Sequence, residues 1–447
     1  MFKRKIYSEL IKWKKESNGG TALLIEGARR VGKTSIAEEF GKNEFAAFRT
    51  IDFAVASDDV RNAFNDLSKI DKFFERLFLA LGTKPLPRGS LIIFDEVQFC
   101  PKARQAIKPL VKDGRYFYLE TGSLVSIKEN TAGILIPSEE DAIQMYPMDY
   151  EEFLWACGLE YEAESIKAHF ERKEAFEDDA HRSLMANFRT YLAVGGMPKV
   201  VATYLNTHDF YSVDKEKRAI IRLYEEDLIK IDQKHKTICS LVWKQIPLML
   251  SKHSTRFLVS STNQRADSVL FANTMEKLIE SKMVLAVYRC TDPAAGFALT
   301  KDLGAFKLYF NDVGIFTSIV FANTRADSVN IYQRLILDRL SANLGMLFEN
   351  ACAQMLTANS FEPFYYSWSQ EVEGKTKNYE IDFIIYKNGK VIPFEVKSRN
   401  VSNKESLARF RENHRKRIGE KYILSIKRLA YGDNLTYLPY YMTFALK

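Results

Sequence analysis

The stretch Gly27-Ala28-Arg29-Arg30-Val31-Gly32-Lys33-Thr34 sets two glycines, a lysine and a hydroxyl residue at the spacing G-x-x-x-x-G-K-[ST]. The apolar run at 21–25 before it reads as a buried strand, and Ser35 opens a helical stretch over 35–40. A glycine-rich turn between strand and helix lets successive backbone N–H groups converge at a helix N-terminus, whose partial positive charge favours anions. The chain is thereby constrained to an α/β sheet with a phosphate-binding loop after its first strand. Gly27, Ala28, Arg29, Arg30, Val31, Gly32, Lys33, Thr34 and Ser35 are expected to hold a nucleoside triphosphate. Lys33 would reach the β- and γ-phosphates and the Thr34 hydroxyl would hold Mg²⁺.

Downstream, residues 90–94 form a second apolar run that ends in Asp95-Glu96, with a Pro-Arg-Gly turn at 87–89 before it. A parallel strand buried on both faces reads as such a run, and ligands collect at its C-terminal end. Asp95 is placed to hold Mg²⁺ through water, and Glu96 to orient and polarise an attacking water. A third strand over 115–120 ends in Thr121-Gly122-Ser123, so Thr121 or Ser123 can report on the γ-phosphate, with a plain turn as the alternative. A further strand at 46–53 and helices at 60–80 and 102–112 complete a doubly wound alternation. No guanine-reading Asn-Lys-x-Asp follows the loop, which favours ATP.

These words resemble the AAA+-like ATPases of bacteria and archaea that carry an uncharacterised C-terminal region. Besides the loop, the resemblance rests on Ile-Ile-Phe-Asp-Glu-Val-Gln, Glu-Thr-Gly-Ser, the segment at 146–154, Tyr-Leu-Ala-Val-Gly-Gly-Met-Pro at 191–198 and Lys-Leu-Tyr-Phe-Asn-Asp-Val-Gly at 307–314. It implies an ATPase domain followed by a helical lid and connector. The chain departs from the family pattern at 133–138, where Gly-Ile-Leu-Ile-Pro-Ser stands in place of a Gly-Arg.

With 447 residues, the chain is expected to form three domains: 1–149 for the nucleotide, 150–330 for a helical lid with a winged-helix-like unit, and 331–447 for a small α+β region. The winged helix is read from helices at 241–251, 263–266 leading on to 270, and 273–281, followed by strands at 284–289 and 307–310. Such a unit can contact DNA or only bridge domains. The words Arg-Ala-Asp-Ser-Val at 265–269 and 325–329 recur in the company of Phe-Ala-Asn-Thr, in swapped order, and read as coincidence.

Residues 379–386 and 391–397 read as a hairpin across a Lys-Asn-Gly turn. Asp382 starts the first strand, while Glu395 and Lys397 share a face of the second. This spacing resembles the PD-(D/E)XK nuclease fold, in which Glu349 would supply the acid on a preceding helix. Three readings stay open: a metal-dependent nuclease, an inactive fold that binds nucleic acid or protein, and plain surface charge. From Lys397 to Arg428 eleven Lys or Arg accompany three acids, among them Arg411, Arg415, Lys416 and Arg417. A basic face there could neutralise nucleic-acid phosphates or be a solvated helix surface.

Net charge of +7 permits nucleic-acid binding without demanding it. The five cysteines are scattered without a C-x-x-C pair, and no run is long enough to span a bilayer; both suit a cytoplasmic protein with no membrane partner. The expected function is a Mg²⁺-dependent ATPase that couples hydrolysis to its C-terminal parts. The alternatives are an ATP-gated nucleic-acid binder or nuclease, and a non-hydrolysing ATP switch that docks a protein client. Oligomerisation is compatible with each.

Overall fold

The computed structural model describes residues 1–124, 135–231, 236–251, 268–297, 299–321, 328–340, 345–398, 404–415, 417–432 and 435–446. The chain divides into two units, Met1–Tyr146 with Met275–Met283, and Pro147–Thr274 with Val284–Lys447.

In the first unit, α1 (Ile6–Ser17) precedes β1 (Ala22–Glu26), α2 (Lys33–Glu44), β2 (Phe48–Asp52), α3 (Asp58–Ala63), α4 (Ile70–Ala80), β3 (Leu91–Asp95), α5 (Pro101–Gln105), α6 (Ile107–Asp113), β4 (Phe117–Gly122) and β5 (Glu140–Gln144). The strands form one sheet in the order β2-β3-β4-β1-β5, and every pairing is parallel. All five side chains of β3 are buried, as are the first four of β1, which is why both read as unbroken apolar runs. Two expected helices are each split. The stretch 60–80 breaks between Ala63 and Ile70, where Asp66 accepts from the Ser68 N–H and supplies a competing local bond. The stretch 102–112 breaks at Ala106, whose N–H is shared between the Lys102 and Ala103 carbonyls.

The second unit begins with helices α7 (Tyr150–Ala156), α8 (Glu160–Arg172), α9 (Asp178–Val194), α10 (Pro198–Thr207), α11 (Phe210–Ile231) and α12 (Lys236–Ser251). Helix α13 (Ser268–Glu280) ends in the segment that belongs to the first unit. There follow β6 (Val284–Cys290), β7 (Lys301–Phe310), α14 (Val313–Val320), α15 (Ser328–Ile336), α16 (Gly345–Ala358), β8 (Phe364–Val372), β9 (Lys375–Lys387), β10 (Lys390–Lys397), α17 (Glu405–His414), β11 (Tyr422–Ser425), β12 (Ala430–Gly432) and β13 (Leu435–Pro439). Eight strands make a mixed sheet ordered β12-β13-β11-β10-β9-β8-β6-β7.

The strand pair expected as a wing is present as antiparallel β6 and β7, but β6 also pairs in parallel with β8, so both belong to the C-terminal sheet. The expected helix at 263–266, the first repeated word up to 267 and the second up to 327, and residues 133–134 and Lys416 lie outside the described residues. The hairpin of β9 and β10 turns at Asn388 and Gly389, both at positive φ. Asp382 lies well inside β9 instead of at its start, because the strand begins at Lys375.

Three of the sequence words meet in one knot of the second unit. Asp312 accepts from the Gly196 N–H at 2.6 Å and the Ile315 N–H at 2.8 Å, and Met148 N–H donates to the Gly196 carbonyl at 2.8 Å. A Cβ on Gly196 would meet the Met148 carbonyl oxygen at 1.9 Å, and one on Gly314 would meet that of Val194 at 2.2 Å. The glycines in Gly-Gly-Met-Pro and Asn-Asp-Val-Gly are there because two backbones pass within touching distance.

Candidate functional site

Strand β1 delivers the chain to Gly27, where a Cβ would meet the Met145 carbonyl oxygen at 2.3 Å, so the loop must start on glycine. It ends on Gly32, the left-handed N-cap of α2 at φ 100°, a conformation that favours glycine. Arg4, buried near the start of the chain, braces the loop: it donates to the Val31 carbonyl at 3.0 Å and to the Tyr146 carbonyl at 2.6 Å. The sequence reading passed over Arg4, since a basic N-terminus has no periodic signature.

Lys33 begins α2 and folds its ammonium back onto the Gly27 and Ala28 carbonyls, each at 3.0 Å. Burial pushes its pKa down to about 8, against the pull of Glu96 and Asp95. The Thr34 hydroxyl lies 2.9 and 3.0 Å from the two Asp95 carboxylate oxygens. Strand β4 runs beside β3, and from its end the Thr121 hydroxyl donates to Asp95 and the Ser123 hydroxyl to Glu96, the latter at 3.3 Å. Burial raises the Asp95 pKa, while hydrogen bonds from Thr121 and Thr34 hold it back.

Glu96 stands at φ 51°, ψ 48°, a left-handed conformation costing a non-glycine residue roughly 1–2 kcal/mol. The twist leaves its carboxylate to accept from Gln98 Nε2 at 2.5 Å. Gln98 was not singled out in the sequence; a glutamine two residues past a Glu carries no signal of its own. Lys33, Thr34, Asp95, Glu96, Thr121 and Ser123 thus converge. Thr34 and Asp95 together offer hard oxygen donors, a set that suits Mg²⁺ completed by phosphate oxygens and water.

Behind the site lies a buried charge cluster. Arg104 grips Glu140 with two hydrogen bonds of 2.8 and 2.6 Å, and Glu120, the residue before Thr121, is fully buried beside them. Burial, then the neighbouring Glu140 carboxylate, raises the Glu120 pKa far above the usual carboxylate range.

The second expected constellation is buried, which removes the surface-charge reading. It is organised around a residue the sequence reading did not choose. Lys307 on β7 places its ammonium 3.1 Å from Glu349 Oε1 and 2.6 Å from Glu380 Oε1, and Tyr309 donates to Glu349 at 2.5 Å. Burial would lower the Lys307 pKa, but the carboxylate of Glu349, then Tyr309 and Glu380, outweigh it and hold the amine charged. Asp382 accepts from the Val396 N–H at 2.8 Å; burial and then Glu349 push its pKa up to about 7. Glu395 pairs with Lys397 at 2.8 Å.

Glu349 Oε1 is taken up by Lys307 and Tyr309, Glu395 Oε2 by Lys397, and one Asp382 oxygen by the Val396 N–H. Among the described residues no group of three or more His, Cys, Asp or Glu could hold a metal ion. The residues present do not fit Mg²⁺ at Glu349, Asp382 and Glu395, and no reaction is derived through one. A lone lysine between apolar strand residues, as in Phe306-Lys307-Leu308, was the available signal.

The parallel sheet with its glycine loop after β1 is the P-loop nucleotide-binding fold. Residues 20–154 match the family model described as AAA domain. Residues 185–326 and 344–441 match two models described as domains of unknown function, DUF8612 and DUF4143. No curated protein matches the chain. Among solved structures, the chain is similar to the Aeropyrum pernix ORC1 protein in complex with DNA, at 13% identity and TM-score 0.28, covering 72% of this chain and 94% of that one. It is also similar to Cdc6p from Pyrobaculum aerophilum, at 12% identity and TM-score 0.25, covering 75% and 93%. These likenesses are too distant to carry function. Among the described residues no helix is long and apolar enough to cross a membrane.

Proposed function

We propose that the first unit binds ATP with Mg²⁺ and hydrolyses it to ADP and phosphate, and that this turnover serves the second unit. The observation that supports this best is the joining of Thr34 to Asp95 beside a Glu96 held by Gln98 and Ser123. Mg²⁺ supplies charge neutralisation on the phosphates when bound. The loop N–H groups from Gly27 to Ser35 and the Lys33 ammonium bind the phosphates, which requires Lys33 to leave the Gly27 and Ala28 carbonyls. Thr34 and Asp95 hold the cation, and Glu96 accepts the proton of the attacking water. Thr121 and Ser123 act through Asp95 and Glu96, fixing both carboxylates.

Phosphate release from ATP by the purified chain is expected in Mg²⁺ and is expected to vanish when the metal is chelated. Release that continues unchanged in excess chelator defeats the metal assignment, and tight ATP binding with no release under any condition favours the non-hydrolysing switch.

The position of Lys33 also sets a pH dependence. Its pKa is depressed in the free protein, and phosphates would hold it charged, so above pH 8 binding must take up a proton. Affinity for ATP should therefore fall as pH rises from about 8, by at most tenfold per unit. Calorimetry in buffers of different ionisation enthalpy measures that proton directly. A Kd flat from pH 7 to 9.5 would show that Lys33 is not the titrating contact.

A further inference from the structure

We infer that a cleft in the second unit binds single-stranded nucleic acid, taking its phosphates on a cluster of cations and stacking a base on Tyr431. The cleft encloses about 730 Å³, and its lining includes Lys173 at the end of α8, Arg411 and Arg415 at the end of α17, Lys421 just before β11, and Tyr431 on β12. Three of these cations come from the stretch 411–421, and Lys173 joins them from far away in the sequence.

Glu420 is the single carboxylate on the lining, and it is already engaged by Lys173 at 3.7 Å and by the Tyr422 hydroxyl. Arg411 and Arg415 make no ion pair with the described residues, and they stand four apart, where like charges face each other along a helix. Their mutual repulsion is offset in part by the helix C-terminal dipole, which favours cations there, and an anion between them would relieve the rest. An anion alone, however, does not call for Tyr431. Tyr431 is 44% exposed, and the Lys173 ammonium lies over its ring, 5.5 Å from the centre. Cations grouped around a partly exposed aromatic residue match a ligand in which phosphates alternate with flat bases. The volume lies within the range of pockets that enclose small ligands, which suits one or two nucleotides of a strand and is too small to take in a duplex.

The test is fluorescence anisotropy with the full chain and labelled dT20 over a salt series. Wild type is expected to bind. In Arg411→Gln/Arg415→Gln the slope of log affinity against log salt should shrink by roughly 1.4, the value for two lost contacts to a single strand. Tyr431→Ala should weaken binding about tenfold at an unchanged slope. All of these side chains are exposed and outside the nucleotide site, so melting temperature and ATP turnover should stay at wild-type values. Binding that is indifferent to both variants would overturn the proposal, as would a duplex of equal length binding as tightly as dT20. Displacement of dT20 by inorganic polyphosphate, with Tyr431→Ala silent, would reduce the cleft to a general polyanion surface and also sink it. Displacement by polyglutamate as effective as that by unlabelled dT20 would reassign the cleft to an acidic protein.

Discussion

Glu96→Gln is expected to keep ATP binding near the wild-type level and to lose about 100- to 10,000-fold in turnover, the range for removing a positioned proton acceptor. The amide preserves shape and can still meet Gln98 and Ser123, so the change tests proton acceptance and not packing. It also removes the carboxylate that, together with Asp95, pulls the Lys33 pKa upward. The lower Lys33 pKa that results weakens nucleotide binding at pH 7 and the lost repulsion between carboxylate and γ-phosphate strengthens it, so affinity should change little. Single-turnover phosphate release beside an equilibrium binding isotherm separates the two quantities. Equal turnover in variant and wild type would transfer the role to another group, and a large loss of affinity would make Glu96 a binding residue.

Lys307→Met carries the largest expected cost in stability. Methionine matches the length and apolar stem of lysine but takes the charge from between Glu349 and Glu380, next to Asp382. Removing one partner of a buried ion pair typically costs about 3–5 kcal/mol, because the remaining charges lie away from water. The acids can escape that cost by taking up protons, which fixes the sign of the pH dependence. With the Asp382 pKa raised in the folded state, its carboxyl binds more protons there than in the unfolded chain between about pH 4 and 7, so stability falls as pH rises through that window. The variant should unfold much more readily than wild type at pH 7.5 and recover part of the gap at pH 5.5. Denaturant melts at the two values measure this. A variant as stable as wild type at pH 7.5 would show that Lys307 is dispensable to the cluster, and a gap that widened on acidification would reverse the assigned charge states.

The convergence of the residues proposed to bind nucleotide was largely legible because most of them lie in local words. The loop, the strand before it and the helix after it lie in one stretch of about twenty residues, and Asp95-Glu96 closes an apolar run no soluble surface would tolerate. The hairpin of β9 and β10 announced itself through Asn388-Gly389. What stayed hidden was non-local. Nothing in the spacing of 284–310 shows that β6 will pair with β8 some seventy residues on, so the strands looked like a wing. Arg4 and Lys307 do their work through partners tens of residues away or more. The knot at Gly196, Gly314 and Met148 was visible as three separate words, yet the reason for them, two backbones too close for a Cβ, exists only in the folded chain.

Residues 275–283 fold with the first unit although the chain on both sides of them belongs to the second, and Lys282 there pairs with Glu26 at 3.7 Å, one residue before Gly27. The covalent chain therefore crosses between the units three times. A fragment cut after the last strand of the parallel sheet would lack a piece of its own domain, and no single proteolytic nick can release the nucleotide unit whole. The stretch that neighbours the phosphate loop leads at Val284 directly into the eight-stranded sheet, so the two units are joined by a shared thread and not by a dispensable linker.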